Sequence, residues 1–85
     1  MSTSPTQTSG LDITEVDDGL VVFHPDRRRV HHLNVTAALV FELCTGANTV
    51  ERIVELVAAA FALDDQPDSE VRTIIDSFIA EGLVS

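Results

Sequence analysis

Arg29-Val30-His31-His32-Leu33-Asn34-Val35-Thr36-Ala37-Ala38-Leu39-Val40-Phe41-Glu42-Leu43-Cys44-Thr45-Gly46 is the stretch on which the fold turns. Arg29 to Leu33 reads as a strand, and Asn34 is a good N-cap for a helix running from Val35 to Cys44 or Thr45. Gly46 ends that helix, because glycine reaches the left-handed conformation of a C-cap without a Cβ clash. Apolar residues cover most of Val35–Cys44, leaving a narrow polar strip near Thr36 and Glu42. A helix apolar on nearly every side belongs in the middle of a fold, so this one is expected to be central.

Working outward toward the N-terminus, Leu20-Val21-Val22-Phe23 is a β-branched and aromatic run bounded by His24-Pro25-Asp26. The link from Pro25 to Arg28 has hairpin length, so this run and Arg29–Leu33 pair. Ile13 and Val16 mark a shorter strand closed by Asp17-Asp18-Gly19. Met1 to Ser9 holds no apolar residue beyond the initial Met and is rich in Ser, Thr, Pro and Gln. Such a segment has too little to bury to offset its ordering entropy, so residues 1–10 are expected to be a disordered tail and 11–85 the folded domain.

Toward the C-terminus, a second helix starts at Asn48 or Thr49, with Asn48 and Glu51 at capping-box spacing. Val50, Ile53, Val54, Val57, Ala58 and Phe61 form one apolar stripe. Pro67 suits the first turn of a third helix, with Asp68 and Glu70 near its positive end. Val71, Ile74, Ile75, Phe78 and Ile79 repeat the stripe, and Gly82 closes it. Three short antiparallel strands followed by three helices make an α+β domain, similar in layout to a winged helix-turn-helix.

Composition bounds the function. The chain has 85 residues, hence one domain, with one Cys, no Trp, no Tyr and four Phe. Five basic residues, all Arg, stand against fourteen acidic ones, a formal net charge of −9. That field repels nucleic-acid backbones and anionic lipid, and suits a cationic peptide or protein partner. No apolar run is long enough to span a membrane and no secretory signal opens the chain. A lone Cys44 forms no internal disulfide, which fits the reducing cytoplasm.

Catalytic signatures are missing: no Gly-rich phosphate loop, no GxSxG, no HExxH. His24, His31, His32 and Cys44 are the candidate metal ligands, but neighbours His31 and His32 point to opposite faces of a strand and Cys44 reads as a small core residue. Cys44 has neither a partnered base nor evident exposure to act as a nucleophile. No enzyme activity, metal or cofactor is expected. The third helix would be the reading helix of a DNA-binding winged helix, but it sets Asp68, Glu70, Asp76 and Glu81 against Arg72 alone, the reverse of what phosphate contact needs.

Peptide binding remains. Arg29, His31 and His32 make the third strand polar, as an exposed edge would be, and an edge strand offers unpaired backbone groups to an extended segment. Part of the third helix's stripe can floor a groove beside that edge; otherwise the whole stripe is core.

Leu33-Asn34-Val35-Thr36-Ala37-Ala38, then Phe41-Glu42-Leu43 and Thr45-Gly46, resembles the LN-x-TAA…W/F-x-L…G signature of PqqD-like proteins. Thr49-Val50-Glu51-Arg52-Ile53 stands where that family has TV-x-EI, with Arg in place of the usual Glu. Val71, Ile74, Phe78-Ile79 and Gly82-Leu83 follow its closing helix more loosely. The resemblance spans about Leu20 to Val84. It implies a RiPP recognition element, a non-catalytic peptide chaperone of ribosomally made, modified peptides. On that resemblance the leader of a precursor peptide docks as an extra strand on Arg29–Leu33, with Val30, His31 and His32 at the contact. Val71, Ile74, Ile75 or Phe78 would line the groove, and Arg27, Arg28 and Arg29 would meet leader carboxylates. Alternation pairs Val30 with His32 and His31 with Leu33; a core Leu33 puts Val30 and His32 on the other face. Asn34 and the Ala pair of the signature read as structural, a cap and a close helix approach. The implied partners are the precursor peptide and a maturation enzyme, such as a radical SAM enzyme or a lasso-type leader peptidase. Two other readings compete: a winged-helix DNA-binding regulator, and a module that homodimerises through its edge strand.

Overall fold

Strand gives way to helix between Asn34 and Val35. Asn34 is extended (φ −70°, ψ 178°), and its side-chain oxygen accepts the Ala37 N–H at 2.9 Å, satisfying one of the free donors of the helix start. The computed structural model describes residues 4–85. Its elements are β1 (Asp12–Val16), β2 (Gly19–His24), β3 (Arg29–Asn34), α1 (Val35–Leu43), α2 (Val50–Ala60) and α3 (Asp68–Ala80). The strands form one antiparallel sheet in the order β1-β2-β3, an α+β arrangement.

The register divides the sheet into two faces. Leu20 pairs with Leu33, Val22 with His31 and His24 with Arg29. Opposed residues share a face, and Leu20, Val22, His24 and Leu33 are buried, so this face turns to the helices. Val21, Phe23, Val30 and His32 lie on the other face. Gly19 tightens the β2–β3 approach: with φ +148°, a Cβ there would sit 1.8 Å from the Leu33 carbonyl oxygen. Only glycine fits.

α1 packs against β2, β3, α2 and α3, the central place its composition predicts. Val40, Phe41 and Cys44 are fully buried, and the Phe41 ring meets Phe78 edge-on with centroids 5.7 Å apart. Val22, Ile53, Val54, Val57, Val71 and Ile75 complete the interior.

Four local expectations differ. Thr49, not Asn48, caps α2: its hydroxyl accepts the Arg52 N–H at 3.1 Å. Asn48 turns back instead, and its side-chain amide donates to the Leu43 carbonyl at the end of α1, 2.9 Å away. Pro67 precedes the first turn of α3 as its N-cap rather than entering it. Phe61 and Ile79 leave their stripes: Phe61 caps α2 beyond the reach of the core and is 37% exposed, and Ile79 is 48% exposed.

The N-terminal segment is the largest correction. Residues 1–3 of the expected tail lie outside the described residues, but Pro5 is buried and residues 6–8 are pinned. Thr6 N–H donates to the Ser85 carbonyl, Gln7 N–H to Cys44 and Thr8 N–H to Leu83, each at 2.9 Å. The Gln7 side-chain amide also donates to the Phe41 carbonyl at 2.9 Å. A polar segment orders here because it satisfies the open backbone groups at the end of α1 and at the C-terminus. Apolar counting misses that gain.

Candidate functional site

β3 is an edge strand. It pairs with β2 along one side, and among the described residues no strand pairs along the other. Half of an edge strand's backbone groups point away from the sheet and lack strand partners. α3 keeps clear of this edge, with no Cα within 8 Å of a β3 Cα, and approaches it only through side chains at its C-terminal end. The two elements are joined by side chains at one end of the gap.

Those side chains belong to Glu81, Arg29, His31 and Arg27. Glu81 follows the last residue of α3 and holds an oxygen 3.8 Å from Arg29 Nε and 3.9 Å from His31 Nε2. Neither is a close contact, and His31 Nε2 is buried with no hydrogen-bond partner. Arg27 reaches from the hairpin tip, and its Nη1 donates to the Ala80 carbonyl at 3.2 Å. A carboxylate at the negative end of a helix dipole is unfavourable by itself; Arg27 and Arg29 offset it. The hairpin that presents them is set by His24, whose Nδ1 accepts the Arg27 N–H at 3.4 Å, and by the Arg28 N–H donating to the Pro25 carbonyl at 3.3 Å.

The structure brings part of the predicted set to this gap. Arg29 and His31 face it, on the helix side of the sheet. Val30 (66% exposed) and His32 lie on the outer face, opposite Leu33, as strand alternation predicts; His32 sits 3.4 Å from Asp18. Arg28, at φ +52°, is exposed at the tip. Arg27 is committed to the end of α3. Val71, Ile75 and Phe78, predicted as groove lining, are interior residues at 0%, 3% and 4% exposure. They face α1 and α2, against which α3 packs, so the core claims them. Ile74 alone of the predicted four is part-exposed. It stands two turns before Glu81, at i and i+7, and so on the same side of the helix.

Glu81 is the site residue that the sequence left unmarked, where it counted only as one acid of an acidic helix. Its single signal is its place just after the last helical residue, beside Gly82. Cys44 takes no part. Burial pushes its thiol up to about 11, and its sulfur donates to the Val40 carbonyl at 3.1 Å. A thiol held protonated in the core is inert.

A family model described as coenzyme PQQ synthesis protein D (PqqD) matches residues 19–84. No curated protein and no solved structure matches the chain.

Proposed function

This chain belongs to the PqqD family, and from that premise we propose that it binds the leader of a ribosomally made precursor peptide as a fourth strand on β3 and presents it to a modifying enzyme. The family is one of peptide-binding recognition elements. The observation that carries the binding mode is the edge itself: among the described residues no strand pairs with the outer side of β3, and no α3 Cα comes within 8 Å of it.

A leader entering the gap pairs its backbone with β3 and sends alternate side chains to the two faces. Those on the helix side meet Ile74 and His31. Those on the outer side run beside Val30 and His32. Glu81 is held only by contacts of 3.8 and 3.9 Å, so a leader group that pairs better with Arg29 or His31 displaces it at small cost. Arg28, with no ion-pair partner among the described residues, is free to meet a leader carboxylate. The arginines at the hairpin give an acidic protein of net charge −9 its local positive patch.

The DNA-binding alternative is disfavoured by α3. Its exposed side carries Asp68, Glu70 and Asp76, and its one cation, Arg72, is hydrogen-bonded to both Asp68 and Glu51. That pairing holds the guanidinium above its already high ordinary pKa, chiefly through the hydrogen bond to Asp68. Homodimerisation through β3 uses the same edge and competes with the leader. No helix among the described residues is long and apolar enough to cross a membrane. The enzyme served is of the class that modifies or cleaves such precursors, a radical SAM enzyme or a leader peptidase.

The test is a fluorescence-anisotropy titration with the leader of any small precursor peptide encoded beside this gene. Saturable binding that is lost on backbone N-methylation at every second leader position supports strand addition. Binding indifferent to N-methylation, or none, removes it.

A further inference from the structure

We propose that the concavity between the β1–β2 hairpin, α1 and the end of α2 is a second docking surface, and that its occupant is a segment of a partner protein with apolar side chains flanked by Lys or Arg. The concavity measures about 600 Å³, within the range of roughly 300–1,000 Å³ that holds a ligand. Its floor is apolar: Val35 and Leu39 from α1, and Phe61 from the end of α2. Its rim is acidic: Glu15 and Asp17 from the hairpin, and Glu42 from α1.

Two observations select the occupant. The first is exposure. Val35 is 53% and Phe61 37% exposed, so two large apolar side chains on separate elements converge on a wall that the chain leaves uncovered. Phe61 ends an otherwise regular apolar stripe, and Val35 occupies the first turn of a helix whose other large apolar side chains are buried or half-buried. The second is charge. None of Glu15, Asp17 and Glu42 has an ion-pair partner among the described residues, and no cation lines the concavity. The five arginines lie elsewhere: three at the β2–β3 hairpin, Arg52 beside Glu55, and Arg72 beside Asp68 and Glu51. An apolar floor ringed by unpaired carboxylates attracts a cationic apolar segment and repels an acidic one.

The surface lies against the β1–β2 hairpin and meets β3 only at its C-terminal end, where Gly19 and Leu20 pair with Asn34 and Leu33; Arg29–His32 are not among its lining. A partner seated here leaves the β3 edge free, so the domain is able to hold two partners at once. The concavity stands on its own residues whether or not β3 takes a peptide.

The test is an amide NMR titration of the full chain with the model peptide acetyl-Lys-Leu-Phe-Lys-amide, in about 20 mM and about 300 mM salt. That change shortens the screening length from roughly 20 Å to about 6 Å. The expected result is saturable shifts at Val35, Leu39 and Phe61, with Arg29–His31, at the other end of β3, unmoved. Affinity drops about fivefold to tenfold at the higher salt and in the Glu15→Lys/Glu42→Lys double variant. The Glu70→Lys/Asp76→Lys variant, which changes net charge equally but on α3, binds as the parent does. The acidic counterpart acetyl-Glu-Leu-Phe-Glu-amide gives no saturable shift. Shifts centred elsewhere, no saturation, or equal losses in the two double variants would overturn the proposal.

Discussion

Ile74 and Ile75 are neighbours in sequence with different duties, and truncating each separates the core from the binding site. Ile75 is 3% exposed and packs in the interior with Val71 and Phe78. Ile75→Ala removes three buried carbons and leaves a cavity, at a cost of about 2–5 kcal/mol. For a domain of this size that lowers Tm by roughly 10–30 °C. Total stability is on the order of 4–13 kcal/mol at 85 residues, so this one truncation removes a large share of it. Ile74 is part-exposed, loses less buried area, and its truncation costs roughly 1–2 kcal/mol. Ile74→Ala therefore stays folded and weakens leader binding by about tenfold, through lost apolar contact in the gap beside β3. With no Trp and no Tyr in the chain, urea unfolding is followed by far-UV circular dichroism, and binding by a dye on the leader. A refuting result is specific: Ile74→Ala as destabilising as Ile75→Ala with undiminished binding per folded molecule. Ile74 would then be core, and α3 would have no part in the site.

Three further predictions follow from the same contacts. Gly19→Ala forces a Cβ to 1.8 Å from the Leu33 oxygen at φ +148°, so it costs at least about 2–3 kcal/mol; an unchanged urea midpoint contradicts the β2–β3 register. Arg27→Ala removes the donor to the Ala80 carbonyl and costs about 0.5–1 kcal/mol, seen as faster hydrogen exchange at the amides ending α3; uniform exchange across α3 opposes the capping role. Cys44 in the folded chain titrates near 11 against 9.0 for a free thiol. The unfolded chain thus loses this proton first, and stability is full below pH 9 and declines as pH rises toward 11. Alkylation of native Cys44 keeps accelerating through that window, and a plateau near pH 9 contradicts its burial.

The sequence carried the element order and the central helix because those follow from local chemistry. Asn34 caps α1, Gly82 stops α3, and α1 is apolar on nearly every side; Gly46, expected as the stop of α1, lies beyond its Cys44 C-cap and donates to the Pro5 carbonyl instead. The edge character of β3 was legible from Arg29, His31 and His32. The division of the α3 stripe was not. Val71, Ile75 and Phe78 share a periodicity with Ile74, and only the angle at which α3 meets α1 and α2 decides which of them face inward. Glu81 was invisible for a similar reason: its partners on β3 lie some fifty residues away in sequence. Segment 5–8 was misread because its gain comes from backbone groups at Cys44, Leu83 and Ser85, which composition does not display. Cap choice turned on one residue, Thr49 against Asn48, since both types cap and only the chain path assigns the second to α1.

Leader binding stands or falls on strand addition at β3. Isotope-filtered NMR on labelled protein with unlabelled leader tests it directly. Strand addition gives cross-strand contacts between leader backbone protons and the backbone of Arg29–Leu33, with the leader amides protected from exchange at alternate positions. Contacts confined to β1, to the concavity beside α1, or to the outer sheet face, with β3 amides unmoved, would contradict it.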